Sequence, residues 1–220
     1  MAKLVWDEQG DRLFETGVDN VVLFPFDPSG TDGYAAGVAW NGVTAINENP
    51  SGGEATALYA DNIKYLNLMS VEELGLGIEA YDSPDEFDEC DGSKEIATGV
   101  SIGQQERKHF GICYRTLIGN DELGTNKGYK IHIVYDCVAS PTERAHSTVN
   151  DSPEAETMSW DCSTIPIPVA DHKPTASVVI DSTKIDATKL EAIKDALYGT
   201  ENTESKILLP AKIIEIMTQQ

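Results

Sequence analysis

Between Phe110 and Cys137 the chain alternates with a period of two, and this limits what it can fold into. Phe110, Ile112, Tyr114, Thr116 and Ile118 share one side; Gly111, Cys113, Arg115 and Leu117 share the other. After a polar interval, Tyr129, Ile131, Ile133, Tyr135 and Cys137 alternate with Lys130, His132, Val134 and Asp136. Side chains of a strand point to opposite faces in turn, so each run presents an apolar face for burial. The interval Gly119–Gly128 is dense in residues that turn a chain or take positive φ. The pattern predicts a long antiparallel hairpin and a mainly β (α+β) protein.

Shorter signals extend this reading. Leu4-Val5-Trp6 and Arg12-Leu13-Phe14 read as two short strands, and Val21–Phe26 as a strand at an edge or ending at Pro25, because proline cannot donate to a ladder. Asn41-Gly42 between apolar residues predicts a tight hairpin. The stretch Asn47-Glu48-Asn49-Pro50-Ser51-Gly52-Gly53 reads as a flexible projecting loop; Leu58–Leu68 fits a strand or a short helix, its aromatics favouring strand, and Leu74–Tyr81 and Thr157–Thr164 read as strands. Ser83-Pro84-Asp85-Glu86 has the parts of a helix start, with Ser83 as cap and Gly92 as stop. After Pro166 and Pro168 the composition shifts, so residues 1–168 are expected to form the main β domain and 169–220 a C-terminal strand–helix appendage. There, Val178–Ile180 reads as a strand, and Thr188 opens a helix whose Leu190, Ile193 and Leu197 share one face before Gly199. That face must dock on the main domain or on a neighbouring subunit.

Charge narrows the function. The 220 residues carry 37 acidic and 16 basic side chains, a formal net charge of −21. Gripping nucleic acid requires clustered Lys and Arg that displace counterions, and Arg107-Lys108-His109 is too small a cluster for that. The N-terminal residues have no apolar core of signal-peptide length, and no apolar run approaches the roughly 20 residues that span a bilayer. A protein made in a cytoplasm is expected, with Cys90, Cys113, Cys137 and Cys162 as reduced thiols.

Catalytic and metal signals are thin. The four cysteines and His109, His132, His146 and His172 lack zinc-ligand spacing. Gly99-Val100-Ser101-Ile102-Gly103 matches the nucleophile elbow of α/β-hydrolases, but that elbow needs a buried strand before it and a helix after it, and polar sequence flanks it on both sides. The carboxylates of Asp82, Asp85, Glu86, Asp88, Glu89 and Asp91 suit Ca²⁺ in kind but not in EF-hand order, and a short helix start explains several. Carboxylate pairs for a β-sandwich glycosidase arise by chance in any acidic chain. Asn150-Asp151-Ser152 is a glycosylation sequon with meaning only on export. No phosphate loop or dinucleotide fingerprint occurs. The residues alone offer no persuasive catalytic, cofactor or metal constellation; they give a β-sandwich or barrel that uses its edges and arms for association. An immunoglobulin-like adhesion or virion decoration module and a β-sandwich hydrolase using Ser101 or an acidic pair are the rival readings.

A series of short runs carries a resemblance: Phe14–Asp19, Gly37–Gly42, Leu58–Asn62, Tyr81–Phe87, Gly103–Gln105, Phe110-Gly111, Tyr114–Thr116, Gly119–Asp121, Tyr129–His132, Asn150–Ala155, Ser159-Trp160, Ile180–Lys184 and Leu197–Gly199. Their order over nearly the whole chain resembles the major tail proteins of long-tailed bacteriophages, the phi13-type family of tail tube subunits. The resemblance implies a non-enzymatic structural subunit of two packed antiparallel sheets with a flanking helix, six copies closing into a ring, and rings stacking into a tube that is part of the virion tail and is assembled in the host cytoplasm. It implies as partners further copies of the chain, tail proteins such as the tape measure and terminator, and double-stranded DNA that passes through without specific binding; no membrane is involved. On that footing Asn47, Glu48, Asn49, Pro50, Ser51, Gly52, Gly53 and Glu54, with the two termini, are the candidates for contacts between rings, and Arg107, Lys108 and Arg115 for ion pairs within a ring. Six copies at −21 each place −126 on a ring, an acidic lumen that repels phosphate and makes assembly sensitive to salt or divalent cations.

Overall fold

A computed structural model of the chain describes residues 4–149, 151 and 155–218. In chain order its elements are β1 (Phe14–Thr31), β2 (Val38–Ala39), β3 (Val43–Gly52), β4 (Ala55–Ala60), β5 (Ile63–Met69), β6 (Glu72–Ala80), a 3₁₀ turn (Asp85–Phe87), α1 (Asp88–Asp91), β7 (Lys94–Ala97), β8 (Val100–Ile102), β9 (Phe110–Asn120), β10 (Gly124–Ala139), β11 (Met158–Thr164), β12 (Ser177–Asp181), α2 (Ala187–Tyr198) and α3 (Pro210–Thr218). The fold is mainly β, with packed antiparallel sheets and few short helices.

The hairpin β9–β10 is the centre of an eight-stranded sheet ordered β2-β1-β9-β10-β11-β6-β3, with β12 also paired to β10. Its turn is tighter than the glycine-rich interval suggests. The buried Asn120 accepts from Leu123 N at 2.7 Å and donates to Gly10 O at 2.9 Å, which pins the N-terminal segment to the hairpin tip.

The sheet becomes two layers because β10 bends. Its residues Lys130–Val134 pair with β12, whereas Cys137–Ala139 pair with β11. The register against β9 slips between Val134 and Cys137, and Asp136 within that bulge has φ +48°. A bulge adds a residue to one strand and increases its twist, so the far half of the sheet folds over the near half. His109 Nδ1 lies 2.5 Å from Asp136 Oδ1, and Ile165 N donates to Asp136 O at 3.0 Å, securing the bend from both sides.

Two cores result. Between the layers, Leu23, Ile112 and Phe110 face Leu76, Ile78 and Trp160, and Phe87 from the 3₁₀ turn plugs the end of this space against Trp40, Phe110 and Trp160. On the outer face of β1, β9 and β10, Phe24, Ile131, Ile133 and Tyr135 meet Ile193 and Leu197 of α2, Ile207, and Ile213 of α3. The apolar face of residues 177–218 thus docks on this chain's own sheet. Burial pushes the thiols of Cys90, Cys113 and Cys162 up to about 12, so these cysteines act as small apolar residues; all four cysteines are free and buried.

Several local expectations fail for identifiable reasons. Leu4-Val5-Trp6 is not a strand; the segment is exposed and unpaired. Pro25 lies inside β1, one strand from the edge. Its carbonyl accepts from Ala35 on the β2 side, and in a strand the N–H points the same way as the carbonyl, so the missing donor falls where β2 covers only Val22 and Leu23. Asn41-Gly42 makes no hairpin, because β2 pairs with β1 and β3 with β6, at opposite ends of the strand order. The dipeptide turns the corner where the rolled sheet brings those ends together: Trp40 N donates to Val21 O, and Tyr81 N to Gly42 O. Ser83 does not cap. Pro84 occupies the cap position without a side-chain hydrogen bond, although Gly92 does stop α1 in the left-handed conformation. Asp186, not Thr188, caps α2, accepting from Thr188 N and Lys189 N.

Candidate functional site

The predicted flexible loop Asn47–Gly53 is instead mostly strand. Asn47–Gly52 pair with β6 up to Gly52↔Glu72. Gly52 and Gly53 both have positive φ, and a Cβ on Gly52 would lie 2.2 Å from Val71 O, so glycine is required there. Beyond this kink Glu54 N donates to Ser70 Oγ at 3.1 Å, and the ladder resumes as β4–β5. Past Gly75, the last residue of β6 paired with β11, Pro50–Gly52 with Glu72–Leu74 and then β4–β5 continue as one two-stranded ribbon.

The ribbon's tip is apolar on the outside. Tyr59, Tyr65, Met69 and Val71 are 72%, 67%, 67% and 80% exposed, with Leu58, Ile63, Leu66 and Leu68 also open to solvent. β5 bulges at Tyr65, between the Leu58–Leu66 and Tyr59–Lys64 pairs; beyond it Met69 exposes one face while Leu66 and Leu68 expose the other. A second, smaller ribbon, β7–β8, exposes Ile96, Val100 and Ile102. Ser101 sits in β8 of this ribbon and not at a strand-to-helix turn, so the hydrolase elbow is absent.

The inter-ring candidates separate by environment. Asn49, Pro50, Ser51 and Glu54 are exposed on or beside the ribbon stem, and Asn47 Nδ2 lies 3.5 Å from Glu79 Oε1. Glu48 turns inward, where its carboxylate accepts from Tyr114 Oη at 2.5 Å. The three candidate cations all have acidic partners within the chain. Arg107 Nη2 lies 3.9 Å from Asp91 and its Nη1 donates to Ala139 O at 2.7 Å; Lys108 pairs with Glu89; Arg115 binds Asp19 at 2.6 and 2.7 Å. Arg107 and Lys108, with Arg144 on Asp91, thereby engage the acidic stretch around α1. Among the described residues no group of three or more His, Cys, Asp or Glu is arranged to hold a metal ion, and no helix is long and apolar enough to cross a membrane. The sequon residues Asn150 and Ser152 lie outside the described residues.

Rolling the sheet leaves a seam. Among the described strands, Phe14–Asn20 of β1 has no partner on the side away from β9, and β3 has none on the side away from β6. Polar side chains gather beside this seam. The His132 and Tyr114 rings, directly opposite in the β9–β10 register, stack with centroids 4.7 Å apart and planes 3° from parallel. Glu15 of β1 accepts from Thr116 Oγ1 at 2.6 Å and pairs with Lys130. Burial works against Glu15's charge, but the Lys130 and Thr116 hydrogen bonds outweigh it and hold the carboxyl below its ordinary value. Burial, reinforced by the Glu48 hydrogen bond, keeps the Tyr114 phenol protonated far above its ordinary range. The Tyr114–His132 pair follows from the hairpin register, whereas Glu15 and Glu48 enter through pairings of distant strands that no local pattern announces.

No family model matches this chain, and no curated protein matches it.

Proposed function

We propose that this chain is a structural subunit that associates with copies of itself, and that the assembly is a tail tube of stacked hexameric rings serving as a conduit for genome delivery. The observation that carries the reading is the β4–β5 ribbon. An isolated two-stranded ribbon is marginal in water, and this one exposes aromatic and aliphatic side chains on both faces. Such a ribbon is completed by a partner surface. The unpaired borders of β1 and β3 add backbone donors and acceptors that a neighbouring strand can satisfy, and closing a ring by head-to-tail contacts removes such edges. The excess of acid over base suits a surface past which DNA slides.

Negative-stain electron microscopy and sedimentation of the purified chain across ionic strength test this. Rings or tubes whose formation responds to salt are expected. A monodisperse monomer at every ionic strength, with the β4–β5 amides already protected from exchange, overturns it.

A further inference from the structure

His132 lies beside the seam, 9% exposed, with both ring nitrogens facing acceptors. Hydrogen-bond accounting shows what the ring requires. Thr116 has one hydroxyl proton, and its nearer acceptor is Glu15 Oε1 at 2.6 Å. Toward His132 Nε2, at 3.0 Å, the same hydroxyl oxygen therefore accepts, and Nε2 carries a proton. Tyr114 gives its only proton to Glu48 Oε1. The other ring nitrogen, Nδ1, is sealed from solvent and has no hydrogen-bond partner among the described residues, yet lies 3.3 Å from that same Glu48 oxygen. In a neutral ring this contact sets a lone pair against a carboxylate, which is unfavourable in a buried place. A second proton turns it into a charge-assisted donor–acceptor contact. Glu48's carboxylate oxygen, 3.3 Å from Nδ1, is the acceptor for that proton.

We infer that His132 is a proton-operated clasp that, doubly protonated, joins Glu48 on β3 to Glu15 on β1 across a seam with no backbone hydrogen bonds. The groups that face the ring are Glu15 from β1, Glu48 from β3, Tyr114 and Thr116 from β9, and the Glu15 partner Lys130 from β10. With the imidazolium, two positive charges meet two negative ones; without it the cluster holds one negative charge in excess. Proton uptake therefore favours the closed seam. The closure strengthens with that proton on the ring and weakens without it. Because β3 is the stem of the projecting ribbon, the ribbon's base is held or loosened by the same proton.

Thermal unfolding of the full chain at pH 8 and pH 5.5, for the wild type and His132→Gln, tests this. On acidification the wild type is expected to gain about 2–4 °C in Tm over the variant, the shift a chain of this size shows for one lost interaction. Parallel pH profiles for the two proteins overturn the clasp. If His132→Gln does not fold, wild-type protein with ¹⁵N-labelled histidine decides. Protection of the Asn47 and Asn49 amides, taken relative to their intrinsic exchange rates at each pH, must rise in step with protonation of the His132 ring; protection indifferent to that proton overturns the inference equally.

Discussion

Arg115 grips Asp19 with two parallel hydrogen bonds, Nε to Oδ1 at 2.6 Å and Nη2 to Oδ2 at 2.7 Å, at the place where β1 loses register with β9. The register slips on both sides of Asp19, and Asn20 has φ +49°. The guanidinium also lies 5.1 Å from the centre of the Tyr129 ring. A planar fork suits a carboxylate better than any other cation, so the pair fixes the bulge geometry as well as neutralising charge. Both side chains are partly in solvent, so screening limits the coupling to about 1 kcal/mol. A double-mutant cycle with Arg115→Met and Asp19→Asn, read by urea unfolding, should return that value and should fall in high salt. Zero coupling in low salt means the bulge is held by backbone pairing alone.

Phe87 offers a larger effect. It is fully buried, with ring centroids 4.6, 5.2 and 5.3 Å from those of Trp40, Trp160 and Phe110. It comes from a turn of one 3₁₀ and one α segment whose other anchors are the buried Cys90 and ion pairs from Arg107, Arg144 and Lys108. Phe87→Ala should cost about 3–5 kcal/mol in denaturant unfolding, from lost burial plus the cavity left among rigid rings. Val100→Ala in the exposed β7–β8 ribbon should stay within about 0.5 kcal/mol.

Docking of the C-terminal segment has its own probe. A Cβ on Gly111 would lie 2.3 Å from Ile207 Cδ1 and 3.3 Å from a Tyr34 ring carbon. Ile207 is itself buried, so it cannot swing into solvent without vacating the outer core. Gly111→Ala should destabilise by about 1–3 kcal/mol through overpacking. Amide exchange should rise in α3 more than in β9. Uniform exchange changes mean that the segment moves as one body with the sheet.

How much of this was readable beforehand depends on whether the signal was local. The β9–β10 hairpin was legible because its strands run through the middle of the sheet, feeding the inner and the outer core in turn, so long β-branched and aromatic runs stand out in the sequence. β3 was missed because it is an edge strand open on most of its length; with little to bury, Asn47–Gly52 carries polar, turn-like residues that mimic a loop. Asn41-Gly42 misled for another reason. Positive φ at Gly42 serves a corner between strands at opposite ends of a sheet as well as it serves a hairpin. Asp136, whose backbone splits β10 between two partners, sits in an unbroken alternating run and gives no sign of the bend. Glu15 and Glu48 meet the His132 cluster only because the sheet rolls, and rolling depends on that bend.

Acidic titration should act with opposite signs at two carboxylates. Glu15 is held below its ordinary value, so its contribution is present above the unfolded-state value and disappears as pH falls through the lower, folded one. Glu15→Gln should therefore weaken the fold at pH 7 and approach wild-type behaviour in strong acid. Asp88 is raised, first by burial and then by repulsion from Asp85 and Asp91. Its charge opposes folding at neutral pH, and protonation relieves that cost as pH falls. Asp88→Asn should raise Tm at pH 7 and lose the advantage near pH 4. Urea melts of both variants at pH 7 and in acid give the test, and a matching sign for the two would show that the dipole of α1 outweighs the repulsion around Asp88.

The ribbon gives the prediction that separates folding from association. Tyr65 and Met69 are both exposed on β5, and neither belongs to either buried core. Replacing both with glutamate leaves the body's packing intact, so Tm of the body should change little, within the range of ordinary surface substitutions. If the ribbon docks on a second copy, the same pair of charges must be desolvated at that contact, and assembly should fail. Sedimentation velocity and negative-stain images of the double variant beside the wild type distinguish the outcomes. Loss of assembly with an unchanged melt assigns the ribbon to the contact. Intact rings or tubes place the contact elsewhere, and the open borders of β1 and β3 then carry association alone.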